Sequence, residues 1–293
     1  MKASGSLLLA LLSVSASAHY VFNHLVVDGV ETGPWQYVRD VAAEANTGYN
    51  DNEMIGKVRP QEDINSEAMA CGRQAFRTTQ STQTVDLQPG TALGFNIQHD
   101  FDSQGNGFDN IFHNGPAQIY LARAPNDDLS TFNGTEGKWF KIASITAAHD
   151  TRPNADYWIT YGKNRVNFTL PEATPPGKYL LRIEHFMAPQ FYVNCAHVNV
   201  LGNGAGVITD SDYATFPGSY KLEDPGSYPY LSIIWSHRCF PVSSGFFFLT
   251  ETIAITLDYK IWNKPGALLN YVGPGPKVWD GSGSSKREVE FIA

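Results

Sequence analysis

The chain has 293 residues, 42% hydrophobic and 17% charged, with a formal net charge of −8. That is long enough for a substantial core in one large domain or two small ones. The acidic balance excludes nucleic acid and anionic membrane surfaces as expected partners, since both require a basic face, and it is compatible with a neutral polysaccharide.

Residues Met1–Ala18 have the layout of a secretory signal peptide: Lys2, a short apolar core over Leu7–Val14, and the small-residue site Ala16-Ser17-Ala18. Cleavage there predicts a secreted, extracellular chain beginning His19-Tyr20. A histidine at a free N-terminus carries two metal donors on one residue, the α-amino group and the ring Nδ1. Read alone, His19 is equally an ordinary surface residue.

From there on, 26 glycines, 17 prolines and 13% aromatic residues suit strands and loops better than helices. Alternating segments predict strands over His19–Val27, Thr84–Leu87, Leu93–Ile97, Ala117–Leu121, Arg165–Leu170, Tyr179–Glu184 and Gln190–Val200. Pro89-Gly90, Asn114-Gly115-Pro116 and Pro175-Pro176-Gly177 punctuate them as turns. Phe108–His113 and Asp150–Tyr161 read as loops or short turns. The expected fold is all-β, an immunoglobulin/fibronectin-III-like antiparallel β-sandwich with long loops. A single domain over 19–281 is expected, followed by a polar tail, 282–293.

No apolar run of about 18 residues follows the signal segment, so no membrane span is expected. The most apolar later stretch, Gly245–Leu257, is interrupted by Thr250, Glu251 and Thr252. Three cysteines, Cys71, Cys195 and Cys239, leave one unpaired or paired between molecules. Asn133-Gly134-Thr135 and Asn167-Phe168-Thr169 are N-glycosylation acceptors.

Two features accompany His19. His113 stands beside the Gly115-Pro116 turn that leads into a strand, where a rigid scaffold can aim it. In Gln190-Phe191-Tyr192 the period of two puts Gln190 and Tyr192 on one face and Phe191 on the other, toward the core. The other histidines, His24, His99, His149, His197 and His237, read as surface or satisfied core residues.

Joined with Trp35-Gln36-Tyr37-Val38-Arg39, Trp139-Phe140-Lys141-Ile142, Pro176–Arg182, Phe216-Pro217-Gly218-Ser219-Tyr220, Asp224-Pro225-Gly226 and Gly273–Trp279, these motifs carry a resemblance. In order and joint presence they resemble the fungal lytic polysaccharide monooxygenases of auxiliary activity family 9, once classed as glycoside hydrolase family 61. The resemblance implies one copper ion, cycling between Cu(II) and Cu(I), held by the amino group and Nδ1 of His19 and a ring nitrogen of His113. Tyr192 would be axial, and Gln190 would hydrogen-bond the oxidant. Nitrogen donors near one plane suit Cu(II), and an α-amino group with pKa of roughly 8 deprotonates for a metal at little cost.

The implied reaction is oxidative cleavage of cellulose or a related β-1,4-glucan at C1 and/or C4. It uses dioxygen or hydrogen peroxide and an external electron donor, and a monomer is expected. Tyr271 matches a position where the family presents a tyrosine to the substrate, or is an ordinary turn aromatic. Cys71–Cys195 matches the family's usual disulfide and leaves Cys239 as the odd one.

Two departures stand out. The family normally carries a further histidine, beside the oxidant, in a loop between the Arg182–His185 segment and the Gln-Phe-Tyr motif. Here only Phe186, Met187, Ala188 and Pro189 intervene, and His185 matches an earlier histidine of that segment. Roughly Ser236–Lys260, with Cys239 and Phe246-Phe247-Phe248, has no counterpart in the family pattern. Both departures together are what a mispredicted gene model would produce, and an unbroken transcript through Ser236–Lys260 would refute a retained intron. The missing histidine favours a rival reading, an impaired copper-binding or glycan-binding protein on the same scaffold. A glycoside hydrolase ranks last, because no Asp/Glu pair stands in a context for carboxylates about 5–10 Å apart.

Overall fold

Where apolar and polar residues alternate, the backbone pairs into strands. The computed structural model describes residues 19–44, 53–99, 110–149, 156–187, 189–221, 269 and 271–282. The expected signal segment 1–18, the expected insertion 236–260 with Cys239, His237, Asp224-Pro225-Gly226 and the tail beyond Ser282 lie outside them.

In chain order the strands are β1 (Tyr20–Val27), β2 (Val30–Glu31), β3 (Val85–Leu87), β4 (Ala92–His99), β5 (Ala117–Arg123) and β6 (Trp139–Ile145). They continue as β7 (Ala147–His149), β8 (Asp156–Trp158), β9 (Arg165–Thr169), β10 (Gly177–Met187), β11 (Gln190–Val200) and β12 (Tyr213–Ala214). Two short helices, α1 (Glu53–Lys57) and α2 (Ala68–Cys71), lie between β2 and β3. A four-stranded sheet in the order β2-β1-β4-β9 faces a six-stranded sheet in the order β12-β6-β5-β10-β11-β3. The fold is the expected β-sandwich. Its strands pair antiparallel except β3, which runs parallel to β11 at the sheet edge. One expectation needs correction: Asp150–Tyr161, read as loop or turns, contributes β8, which pairs with β7. These strands are three residues each, too short for alternation to show.

Between the sheets lie Phe22, Leu25, Phe95 and Phe168 from one side and Ile119, Leu121, Leu181, Ile183 and Val198 from the other. Phe22 and Leu25 are odd-spaced yet share this core. The pairing of β1 with β4 shifts between Phe22 and His24, so Asn23 is an extra residue that restores the inward face.

The six-stranded sheet is buried on its outer face as well, so β5, β10 and β11 are buried at nearly every position, polar residues included. Met69, Ala70 and Cys71 of α2 pack there with Phe186, Phe191 and Phe216. The Cys71–Cys195 disulfide ties α2 to β11. Two buried cations fasten the same layer. Arg182 donates to the Met69 and Ala70 carbonyls and to Glu184 at 2.7 Å, and its guanidinium lies 3.8 Å from the Phe216 ring centre. Arg39 donates to the carbonyls of Leu129 and Phe132 and to His197 Nε2. Buried charges of this kind are tolerated because most of their donors find partners; among the described residues Arg182 Nη1 has none.

Candidate metal centre

The first strand begins at Tyr20, so β1 delivers His19 to one end of the sandwich. Strand β11 delivers Tyr192 to the same end, and the turn before β5 delivers His113. That turn is held on several sides. Ile111 exchanges backbone hydrogen bonds with Lys163 and Gly162, and the Thr160 hydroxyl donates to the Gly115 carbonyl at 2.7 Å. A Cβ on Gly115 would meet the Phe186 carbonyl oxygen at 2.0 Å, so only glycine lets the turn approach β10 this closely.

Three rings converge as a result. The centroids of His19 and His113 are 6.1 Å apart, His19 and Tyr192 6.4 Å, and His113 and Tyr192 5.6 Å. Tyr20 stacks on Tyr192 at 4.1 Å with 18° between ring planes, forming an aromatic floor beneath the histidines. The Tyr192 hydroxyl donates to Gln190 Oε1 at 3.2 Å, and Phe191 is buried on the opposite face, as the alternation requires.

His113 Nε2 is buried and has no hydrogen-bond partner among the described residues. Burial, and then the neighbouring His19, hold its pKa down at about 4. The imidazole is therefore neutral at physiological pH and its lone pair is available to a metal. An orphaned buried nitrogen is unfavourable in a protein that binds nothing there. Among the described residues no point gathers three or more His, Cys, Asp or Glu side chains. A metal here would therefore need a donor beyond the two imidazoles, and the amino group of a processed His19 sits on the same residue as one ring. Nitrogen donors of this kind fit copper.

His185 belongs to this end too, which the sequence reading did not foresee. In the sheet register it lies opposite both Tyr192 and Ala117. It is buried, and burial first, then His113, push its pKa down to about 3. The other histidines have ordinary settings: His24 lies 3.9 Å from Glu31, His197 bonds Arg39, His99 is buried beside Tyr20, and His149 is exposed.

The hairpin between β10 and β11 is tight, with Met187 paired to Gln190, so there is no loop to carry a further histidine. Tyr271 is half-buried, its ring edge-on to Trp158 at 5.0 Å, and its phenol is pushed well above the ordinary range by burial and then by Glu184. The segment carrying it is tethered where buried Lys141 donates to the Pro274 carbonyl at 2.9 Å. Two exposed aromatics lie on this side, Phe112 with its ring centre 6.4 Å from that of His113 and Tyr161 against Phe112. Phe112 is 40% and Tyr161 44% exposed, with ring centres 6.1 Å apart. Both lie in segments read as loops, where no periodicity marks an aromatic as exposed by design.

A β-sandwich that gathers two histidines over a stacked tyrosine pair defines a class, the scaffold with a small nitrogen-donor centre at one end. The model of Auxiliary Activity family 9 (formerly GH61) matches residues 19–237, beginning at His19. The chain is 41% identical over 281 residues to AA9 family lytic polysaccharide monooxygenase U of Thermothielavioides terrestris, covering 93% of this chain and 96% of that one. To AA9 family lytic polysaccharide monooxygenase C of Emericella nidulans it is 33% identical, with the same coverage. In fold it is similar to HiLPMO9B, with a TM-score of 0.60 at 19% identity over 90% of this chain and all of that one. The chain belongs to auxiliary activity family 9, the lytic polysaccharide monooxygenases.

Proposed function

We propose that the chain is a secreted copper-dependent monooxygenase that cleaves cellulose or a related β-1,4-glucan at C1 and/or C4. The observation that carries this reading is the convergence of His19, His113 and Tyr192 around the unpartnered Nε2 of His113. His19, through its amino group and Nδ1, and His113, through Nε2, would hold the copper, with the Tyr192 ring beside both histidines. Bound there, copper supplies one-electron redox chemistry that, with an external electron donor and dioxygen or hydrogen peroxide, oxidises a glucose carbon.

The protein's own residues orient and insulate. The Tyr20–Tyr192 stack closes the underside against water. Gln190 accepts the Tyr192 hydroxyl on its Oε1, which leaves its amide N–H groups to steady an oxidant without any change of protonation. Phe112 beside His113, and Tyr161 against Phe112, are exposed aromatics suited to the C–H faces of a neutral sugar chain, and Tyr271 contributes at the side. Secretion is supported by the Cys71–Cys195 disulfide, which persists in oxidising compartments, and by the exposure of the glycosylation acceptors Asn133 and Asn167. A monomer is proposed.

One observation favours the second reading, a catalytically impaired copper-binding or glycan-binding protein. The tight Met187–Gln190 hairpin leaves Gln190 without a histidine beside it from that loop. The deciding experiment is mass spectrometry of soluble products from cellulose with copper-loaded protein processed to His19, plus reductant. Metal-free and His113→Ala controls run beside it. Oxidised oligosaccharides absent from both controls establish the oxygenase, and none from folded, copper-loaded protein establishes the impaired binder.

A further inference from the structure

We infer that His185 is a positioning residue that fixes both arms of the copper centre to strand β10 through its two ring nitrogens. The inference rests on His19 and His113 being the copper ligands, as proposed above.

His185 is fully buried in β10. Its Nδ1 lies 2.5 Å from the Tyr20 hydroxyl, and its Nε2 lies 3.1 Å from the Gly115 carbonyl oxygen. A carbonyl only accepts, so Nε2 carries the hydrogen and Nδ1 accepts from the tyrosine hydroxyl. One tautomer satisfies both contacts, and the ring is held at both ends.

What lies beyond each end gives this contact its meaning. Tyr20 adjoins His19, and Gly115 is two residues from His113. Tyr20 also stacks on Tyr192, which the register places opposite His185. One imidazole thus ties the start of β1, the His113 turn and the strand facing Tyr192 into a single unit. The two histidine arms come from separate parts of the chain, one ahead of β1 and the other in the turn before β5. Their separation decides whether both reach one metal, and hydrogen bonds behind a ligand commonly change metal affinity about 10–100-fold. His185 does not replace the absent loop histidine, because a nitrogen turned toward the oxidant would have to release Tyr20 or Gly115.

The test uses protein processed to His19 in four forms: wild type, Tyr20→Phe, His185→Asn and His185→Phe. Each is measured by Cu(II) titration calorimetry, by electron paramagnetic resonance of the copper-loaded protein, and by thermal melting of the metal-free form. Tyr20→Phe keeps the stacked ring and removes only the hydroxyl, so it tests the contact without opening a cavity. The expected result is a shifted Cu(II) spectrum and roughly tenfold weaker binding in Tyr20→Phe, with larger changes of the same sign in both His185 variants. Wild-type copper binding with unchanged spectra and affinities in Tyr20→Phe and the His185 variants, whatever their melting points, overturns the clamp alone. Absence of Cu(II) binding by the wild type overturns the metal-centre reading and the clamp with it.

Discussion

Gly115 and Phe186 touch backbone to backbone: a side-chain carbon on Gly115 would fall 2.0 Å from the Phe186 carbonyl oxygen. The turn that aims His113 is therefore pressed against β10, and its position depends on the absence of one methyl group. The Gly115→Ala substitution must move either the turn or the strand, because the obstructing atom is backbone. The expected cost is about 1–3 kcal/mol of stability, typical of an overpacked site. Copper affinity is expected to fall in the same variant, since His113 moves with the turn. Denaturant unfolding and copper titration check the two effects separately, and an unchanged affinity would mean that the turn position does not govern the centre.

The disulfide is expected to be worth more than a local staple. Cys71 and Cys195 are 124 residues apart in sequence and both are buried. In the chain-entropy model a loop of that order restrains the unfolded state by about 4–5 kcal/mol, although measured values often fall lower, at 2–4. Replacing both cysteines by serine should lower the melting temperature by roughly 5–15 °C at about 2–4 °C per kcal/mol. Calorimetry on the pair against the wild type measures it. A change under about 2 °C would show that packing of α2 on β11 holds the layer without the bond.

Acid is expected to destabilise the metal-free protein well above the carboxylate range. Burial and then Arg39 push His197 down to about 3, and His185 is held near the same value. Both are neutral in the folded state and take up protons when unfolded, near the ordinary value of 6.5. Stability from each is therefore fully present above pH 6.5 and is lost as pH falls toward 3, by up to about 1.4 kcal/mol per pH unit per histidine. Urea unfolding at pH 7, 5.5 and 4 should show this slope, and His197→Gln should remove one proton's share. A slope identical in that variant would mean His197 does not titrate on unfolding.

The aromatic edge beside the centre should matter for holding an insoluble glucan. Phe112→Ala and Tyr161→Ala are each expected to weaken binding roughly 3- to 10-fold, the scale of a lost aromatic contact. Tyr271→Ala should act in the same direction by less, because Trp158 already takes up part of its ring. Pull-down isotherms with the metal-free protein separate binding from turnover. Equal binding by Phe112→Ala and the wild type would place the sugar chain elsewhere.

Several of these features can be read without coordinates, because they are local or carried by motif. Seven strands of the two main sheets follow from alternation, among them β11, which spans Gln190–Val200 as expected, whereas β2, β6 and β12 do not. The facing of Gln190 and Tyr192 against Phe191 follows from the same period of two. His19 and His113 stand out because one follows an expected cleavage site and the other stands beside a Gly-Pro turn. The short pair β7 and β8 escapes this reading, since three residues cannot establish a period.

What the tertiary structure alone decides is who meets whom. The extra residue at Asn23 shifts the pairing of β1, and no local pattern announces a bulge. His185 follows Arg182 and Glu184 in its strand, and the sequence matches it to an earlier histidine of the family segment without giving it a partner. Only the register of β5, β10 and β11 brings it opposite Tyr192 and beneath Tyr20 and Gly115. Sequence determined the residue types and their local conformation, because propensity and alternation act over a few neighbours. The partners of His185 lie 165 and 70 positions away. Contacts at that range are selected by the packing of whole sheets, and that selection exists only in the folded chain.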